Sequence, residues 1–187
     1  ENFYEGINRL NIEVGEKVGL IDEKTGTTFS YNNIFDLVNK CIVFLKNSGL
    51  KEGDSFQAVL PNSIEILIFF LAAGKGGFKF APCSEDSTDK EIITYNKITN
   101  SKMVVFNHKN DLSNIFPDRL NKLPIKLDCK FSWLKNVSSC KIGKAKDGNL
   151  YIMTSGTTGT PKAIVLSLDK LWASTISFNK NYKNINT

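Results

Sequence analysis

The sequence predicts an α/β fold: a mainly parallel sheet flanked by helices. Three observations predict it. Short apolar runs at 55–60, 78–82 and 102–106 read as buried strands. The stretches between them carry helical periodicity or helix-capping residues. The resulting order, β-α-β-α-β from Ile21 to Phe106, calls for parallel neighbours joined by crossover helices. A length of 187 residues suits one globular domain or part of a larger one.

Residues 2–11 read as a short surface helix. Val18-Gly19-Leu20-Ile21 reads as a strand, 22–26 as a turn, and 27–29 as the returning strand. Ser30 is a good N-cap for the helix that follows. Ile34, Leu37, Val38, Cys41, Ile42 and Leu45 then recur at helical spacing, and Gly49 and Gly53 close that helix and its turn. The run 55–60 lies between Gly53 and Pro61, as a buried strand would. Asn62 then opens a second helix, with Glu65 in a capping-box position. Residues 64–73 are apolar nearly all round, which predicts burial on most sides, and Gly74, Gly76 and Gly77 end the helix.

The run 78–82 is the next strand. Thr88 and Glu91 form a capping box for a helix reaching about Asn100, and 102–106 is the strand after it. Residues 107–147 read as irregular connections with one or two short strands. Residues 150–153 and 163–166 are strands again, and Ser167 caps a last helix running to about Asn179. No internal repeat or low-complexity linker interrupts the chain.

Apolar residues make up 41% and charged residues 23%, the balance of an ordered soluble protein. The net charge of +5 comes from scattered lysines with no block of five like charges. A solvated surface accounts for it, and such a surface also suits a polyanionic ligand. Cysteines at 41, 83, 129 and 140 form no CxxC pair, and His108 is the single histidine, so zinc spacing is absent and no metal ligand is assigned. Cys41 belongs to an apolar helical face. This cysteine usage predicts a reducing, cytoplasmic setting. The opening Glu1-Asn2-Phe3-Tyr4 has no signal-peptide character, and the longest apolar run, 66–73, is too short for a membrane span. His108 reads as a loop residue. Trp133 and Trp172, in apolar surroundings, read as core or interface residues.

The segment that carries chemistry is Thr154-Ser155-Gly156-Thr157-Thr158-Gly159-Thr160-Pro161-Lys162, between two strands. It holds five hydroxyl residues, two glycines, a proline and a lysine. Glycines let the backbone approach a ligand closely. Successive N–H groups in such a turn make an anion site, hydroxyls add donors, and Lys162 adds a compact positive charge. A Walker A loop would end Gly-Lys-Ser/Thr and lead into a helix. Here Lys162 follows Pro161 and precedes a β-favouring Ala163-Ile164-Val165. The remaining rivals are a plain Ser/Thr/Gly hairpin turn, a non-catalytic nucleotide-binding or regulatory module, and, on charge alone, a nucleic-acid binder. No RNP, zinc-finger or helix-turn-helix pattern supports the last.

Residues 154–162 resemble the phosphate loop of the adenylate-forming superfamily, which includes acyl-CoA synthetases, nonribosomal peptide adenylation domains and luciferases. The likeness continues upstream. Phe29-Ser30-Tyr31, Gly49-Leu50-Lys51-Glu52-Gly53-Asp54, Leu60-Pro61-Asn62-Ser63 and residues 73–82 are similar to successive family segments, in the right order over roughly 18–170.

The resemblance implies that the chain, over 1–187, is the N-terminal portion of the family's large AMP-binding domain. It implies a carboxylic acid and ATP as substrates, Mg²⁺ as cofactor, an acyl-AMP product with release of pyrophosphate, and then transfer to CoA or a carrier-protein phosphopantetheine. Thr154, Ser155, Gly156, Thr157, Thr158, Gly159, Thr160 and Lys162 would wrap the β- and γ-phosphates. Lys162 would act catalytically on the departing pyrophosphate. Ala163 stands where a glycine is common, Cys83-Ser84 where many members have an apolar-Asp pair, and Ser167-Leu168-Asp169 lacks a frequent histidine. The family's adenine, ribose and Mg²⁺ residues, its catalytic lysine and its C-terminal lid domain lie past the phosphate loop. The chain is therefore expected to be a fragment with little ligase activity of its own.

Overall fold

A computed structural model describes residues 1–154 and 161–185. In chain order its elements are α1 (Phe3–Val14), β1 (Val18–Ile21), β2 (Thr28–Ser30), α2 (Tyr31–Asn47), β3 (Ser55–Val59), α3 (Ile64–Gly76), β4 (Lys79–Cys83), α4 (Asp89–Thr99), β5 (Met103–Asn107), β6 (Asn121–Ile125), β7 (Asn149–Thr154), β8 (Lys162–Ser167) and α5 (Leu168–Ile185).

Every residue of β3 is buried, as its unbroken run of small and apolar side chains with one Gln requires. It lies inside a six-stranded sheet of order β6-β5-β3-β4-β7-β8. The pairs β3–β4, β3–β5, β4–β7 and β5–β6 are parallel, and only β8 runs antiparallel, against β7. The predicted alternation is therefore present, but it begins at β3. β1 and β2 pair with each other in a separate two-stranded ribbon.

The pleat of β3 serves both faces of the sheet. Phe56 and Ala58 join the large core cluster with Val38, Ile42 and Leu45 of α2 and Ile68, Phe69 and Ala72 of α3. On the opposite face Gln57 donates to the carbonyl of Ile92 in α4 at 3.1 Å, and Val59 packs with Ile92, Val104 and Phe106. Trp133 closes the larger core, stacked on Phe69 at 5.2 Å between ring centroids. Cys41 is fully buried there, as its place on the α2 face predicts.

Helix starts follow the capping chemistry in three places, at Asn2, Ser30 and Thr88. Each accepts from the backbone N–H three residues on, and the third residue bonds back. The expected box at Asn62 does not form. The N-cap of α3 is Ser63, without a side-chain cap bond, and Glu65 is buried instead. Gly76 is the last residue of α3 and Gly77 its C-cap, in the left-handed region at φ 71°, as expected, whereas Gly74 lies inside the helix, where the Phe3 ring occupies the space a Cβ would need.

Helix α1 is more than a surface helix. Phe3 and Ile7 are buried with Leu168 at the start of α5, and the Phe3 ring meets Trp172 edge-on at 5.8 Å. Asp169 accepts from the Phe3 N–H at 2.8 Å, which fixes the first turn of α1 onto α5. His108 follows β5, and its backbone N–H donates to the Ile125 carbonyl of β6.

Candidate functional site

The site grows from the way β7 leaves β4. The two strands pair only at Lys79↔Asn149 and Phe80↔Leu150. Beyond Leu150, β7 stays paired with β8 alone, in register from Asn149↔Ser167 to Thr154↔Lys162. The carbonyl of Tyr151 loses its strand partner on the β4 side. It accepts instead from the Tyr95 hydroxyl of α4 at 2.9 Å. Burial pushes the Tyr95 phenol up, so it remains a donor.

The divergence opens a pocket of about 820 Å³ at the carboxyl ends of β4 and β7. Open parallel sheets bind ligands at that edge. Pro82, Cys83 and Ser84 form one wall, and Met153, Thr154 and Pro161 the facing one. The first turns of α4 supply Thr88, Lys90, Glu91 and Tyr95. The Thr88 N–H and hydroxyl both donate to a Glu91 carboxylate oxygen at 2.8 Å, and these bonds hold the Glu91 carboxyl below its ordinary value. Burial pushes the Cys83 thiol up, so it faces the pocket as a neutral group.

Of the nine residues singled out by sequence, Ser155, Gly156, Thr157, Thr158, Gly159 and Thr160 lie outside the described residues. Thr154 and Lys162 are the last paired residues of the hairpin, and the Thr154 hydroxyl donates to the Lys162 carbonyl at 3.3 Å. Lys162 is exposed, and no carboxylate pairs with it among the described residues. Its charge is therefore uncommitted at the rim, whereas Thr154 and Pro161 reach the pocket wall.

Sequence reading did not find Pro82, Ser87, Thr88, Tyr95 or Met153 as pocket residues. Cys83-Ser84 stood out only as a departure from a family pattern. The other departures have structural roles. Ala163 pairs with Met153, Ser167 donates to Asp147 and accepts the Lys170 N–H, and Asp169 binds α1. Among the described residues, no group of three or more His, Cys, Asp or Glu is arranged to hold a metal ion, and no helix is long and apolar enough to cross a membrane.

The AMP-binding enzyme family matches residues 12–186 of this chain. Among curated proteins, 4-coumarate–CoA ligase 1 of Petroselinum crispum is 32% identical over 93 residues, covering 50% of this chain and 17% of that protein. Long-chain-fatty-acid–CoA ligase FadD13 of Mycobacterium tuberculosis is 27% identical over 171 residues, 83% of this chain and 34% of its own length. The chain thus spans about a third or less of the curated relatives it matches. Among solved structures, the N-terminal domain of FACL13 from Mycobacterium tuberculosis superposes with a TM-score of 0.77 at 20% identity, covering 93% of this chain and 47% of that one. The Klebsiella oxytoca NpsA N-terminal subdomain in complex with 3-hydroxybenzoyl-AMSN gives 0.73 at 20%, covering 90% and 41%.

Proposed function

The chain belongs to the AMP-binding enzyme family, and on that premise we propose that it is the phosphate-gripping part of an ATP-dependent carboxylate ligase. The observation that carries the reading is the Thr154–Lys162 closure. Thr154 and Lys162, which flank the Gly/Ser/Thr sequence, pair across the hairpin. Thr154 lines the open pocket at the carboxyl edge of the parallel sheet, and Lys162 has no carboxylate partner among the described residues.

In the proposed reaction a carboxylate oxygen of the acid attacks the α-phosphorus of ATP. The bond from that phosphorus to the pyrophosphate oxygen breaks, and acyl-AMP and pyrophosphate result. Negative charge grows on the departing pyrophosphate. The loop's N–H groups and hydroxyls, with Lys162, would orient the β- and γ-phosphates and offset that charge. Mg²⁺ bound to the triphosphate would offset part of its charge; the described residues offer the ion no ligand set of their own. A thiol then accepts the acyl group. The names of the curated relatives favour CoA as that thiol. A carrier-protein phosphopantetheine is the second possibility, supported by the matching hybrid PKS-NRPS synthetase of Fusarium sp.. In this reading residues 1–187 form the N-terminal part of the large domain, and the isolated chain forms little acyl-AMP.

The test is an amide-shift titration of the isotopically labelled chain with Mg²⁺ and the β,γ-methylene analogue of ATP. Shifts should concentrate at 154–162 and in the pocket walls around Ser84 and Thr88. Saturable binding whose shifts avoid the hairpin would overturn the reading.

A further inference from the structure

A second concavity, of about 530 Å³, lies between the β1–β2 turn, the start of α3 and the segment after β6. Its apolar walls include Leu20, Ile64, Leu67 and Leu127. Four carboxylates also line it, those of Asp22, Glu23, Glu65 and Asp128, against one lysine, Lys24. Two of the four are committed locally. Asp22 accepts from the Thr25 N–H and hydroxyl and from the Cys129 thiol. Asp128 accepts from the Ser132 N–H and lies 3.7 Å from Lys126.

Glu65 differs from these. It is 3% exposed and lines the pocket, no protein hydrogen bond or ion pair forms on its side chain among the described residues, and its carboxylate oxygens keep a little solvent contact rather than being sealed off. Carboxylates are seldom buried without a partner, because desolvation must be offset. The macrodipole of α3 favours an acid in its first turn, but that does not require burial. Glu5 and Glu91 hold similar positions in α1 and α4, where both are exposed and bonded back to their N-caps. Ser63, the N-cap of α3, makes no such bond, and its hydroxyl oxygen is buried without a partner. The thiol of Cys129, on the same wall, is pushed up by burial, by Asp22 and, more weakly, by the Glu65 charge.

We propose that this pocket binds a protonated aliphatic amine, with the ammonium against Glu65 and the alkyl chain along Leu20, Ile64, Leu67 and Leu127. A metal ion does not suit the site, since no three ligating groups converge there. An ammonium on an alkyl stem satisfies both features: one strong acceptor and an apolar trough within the usual size range of small-molecule sites. The proposal does not rest on the phosphate-loop reading.

The probe is n-hexylammonium, titrated by ligand-observed NMR, with n-hexanol as the neutral control. Saturable binding is expected for the amine, and Glu65→Gln should weaken it about tenfold or more. A readout on the unmodified chain guards against a variant that fails to fold. Hexylammonium should slow iodoacetamide alkylation of Cys129 and leave the exposed Cys140 unaffected. Equal affinity for hexanol, undiminished binding to a folded Glu65→Gln chain, or unprotected Cys129 at saturating amine would each overturn the assignment.

Discussion

The Tyr95 hydroxyl donates to the Tyr151 carbonyl across 56 positions of sequence, at 2.9 Å. It fastens α4 to β7 at the point where β7 parts from β4, and so holds the pocket open. Tyr95→Phe keeps the ring and deletes the donor. The Tyr151 carbonyl is then left unsatisfied, which costs about 1–2 kcal/mol. Urea unfolding should show a lower midpoint with an unchanged slope. An unchanged midpoint would mean that water replaces the hydroxyl without loss.

The Thr88–Glu91 box gives a pH signature. Glu91 sits below its reference value of 4.5 because Thr88 donates to it, first through its N–H and then through its hydroxyl. A depressed folded pKa contributes stability above the unfolded value, and that stability is lost as pH falls through the folded value. Thr88→Ala should raise the Glu91 pKa toward 4.5 in an NMR titration. At neutral pH the lost cap should lower stability by about 1 kcal/mol.

Gly148, just before β7, has no room for a side chain. A Cβ there would meet the Ala73 carbonyl oxygen at 2.4 Å and the Gly74 Cα at 2.7 Å, both backbone atoms of α3. Gly148→Ala therefore forces α3 and β7 apart and should cost about 1–3 kcal/mol. Thermal unfolding of the pair of chains checks it.

The four thiols should alkylate in an order set by burial. Cys140 is exposed and reacts first. Cys41 is fully buried, and desolvation pushes its thiol far up, so it reacts only on unfolding. Timed alkylation read by peptide mass would show both extremes. Early labelling of Cys41 in the folded chain would contradict the core described for α2.

Much of the sheet was legible because burial on both faces writes itself as a continuous apolar run, as in β3 and β5. The N-cap at Ser30 and the capping box at Thr88 were legible because their chemistry is local. β6 was obscure for a physical reason. Asn121-Lys122-Leu123-Pro124-Ile125 is an edge strand, where a proline is tolerated and one side needs no partner. Gly74 misled because a glycine can mark close packing as well as a helix end, and only the position of Phe3 decides which. At the site, Thr154 and Lys162 announced themselves by composition. Tyr95 did not, since its role depends on a strand divergence that no local pattern encodes.

The central claim is that the hairpin closed by Thr154 and Lys162 stabilises a departing pyrophosphate. Its most direct test is ATP–pyrophosphate exchange by the complete protein bearing this chain, run over a panel of carboxylic acids that includes 4-coumarate and long-chain fatty acids. Replacing Lys162 with Ala should slow exchange about a hundredfold or more with every acid that supports it, while the protein stays folded. Exchange at the unmodified rate in a folded Lys162→Ala protein would contradict the account.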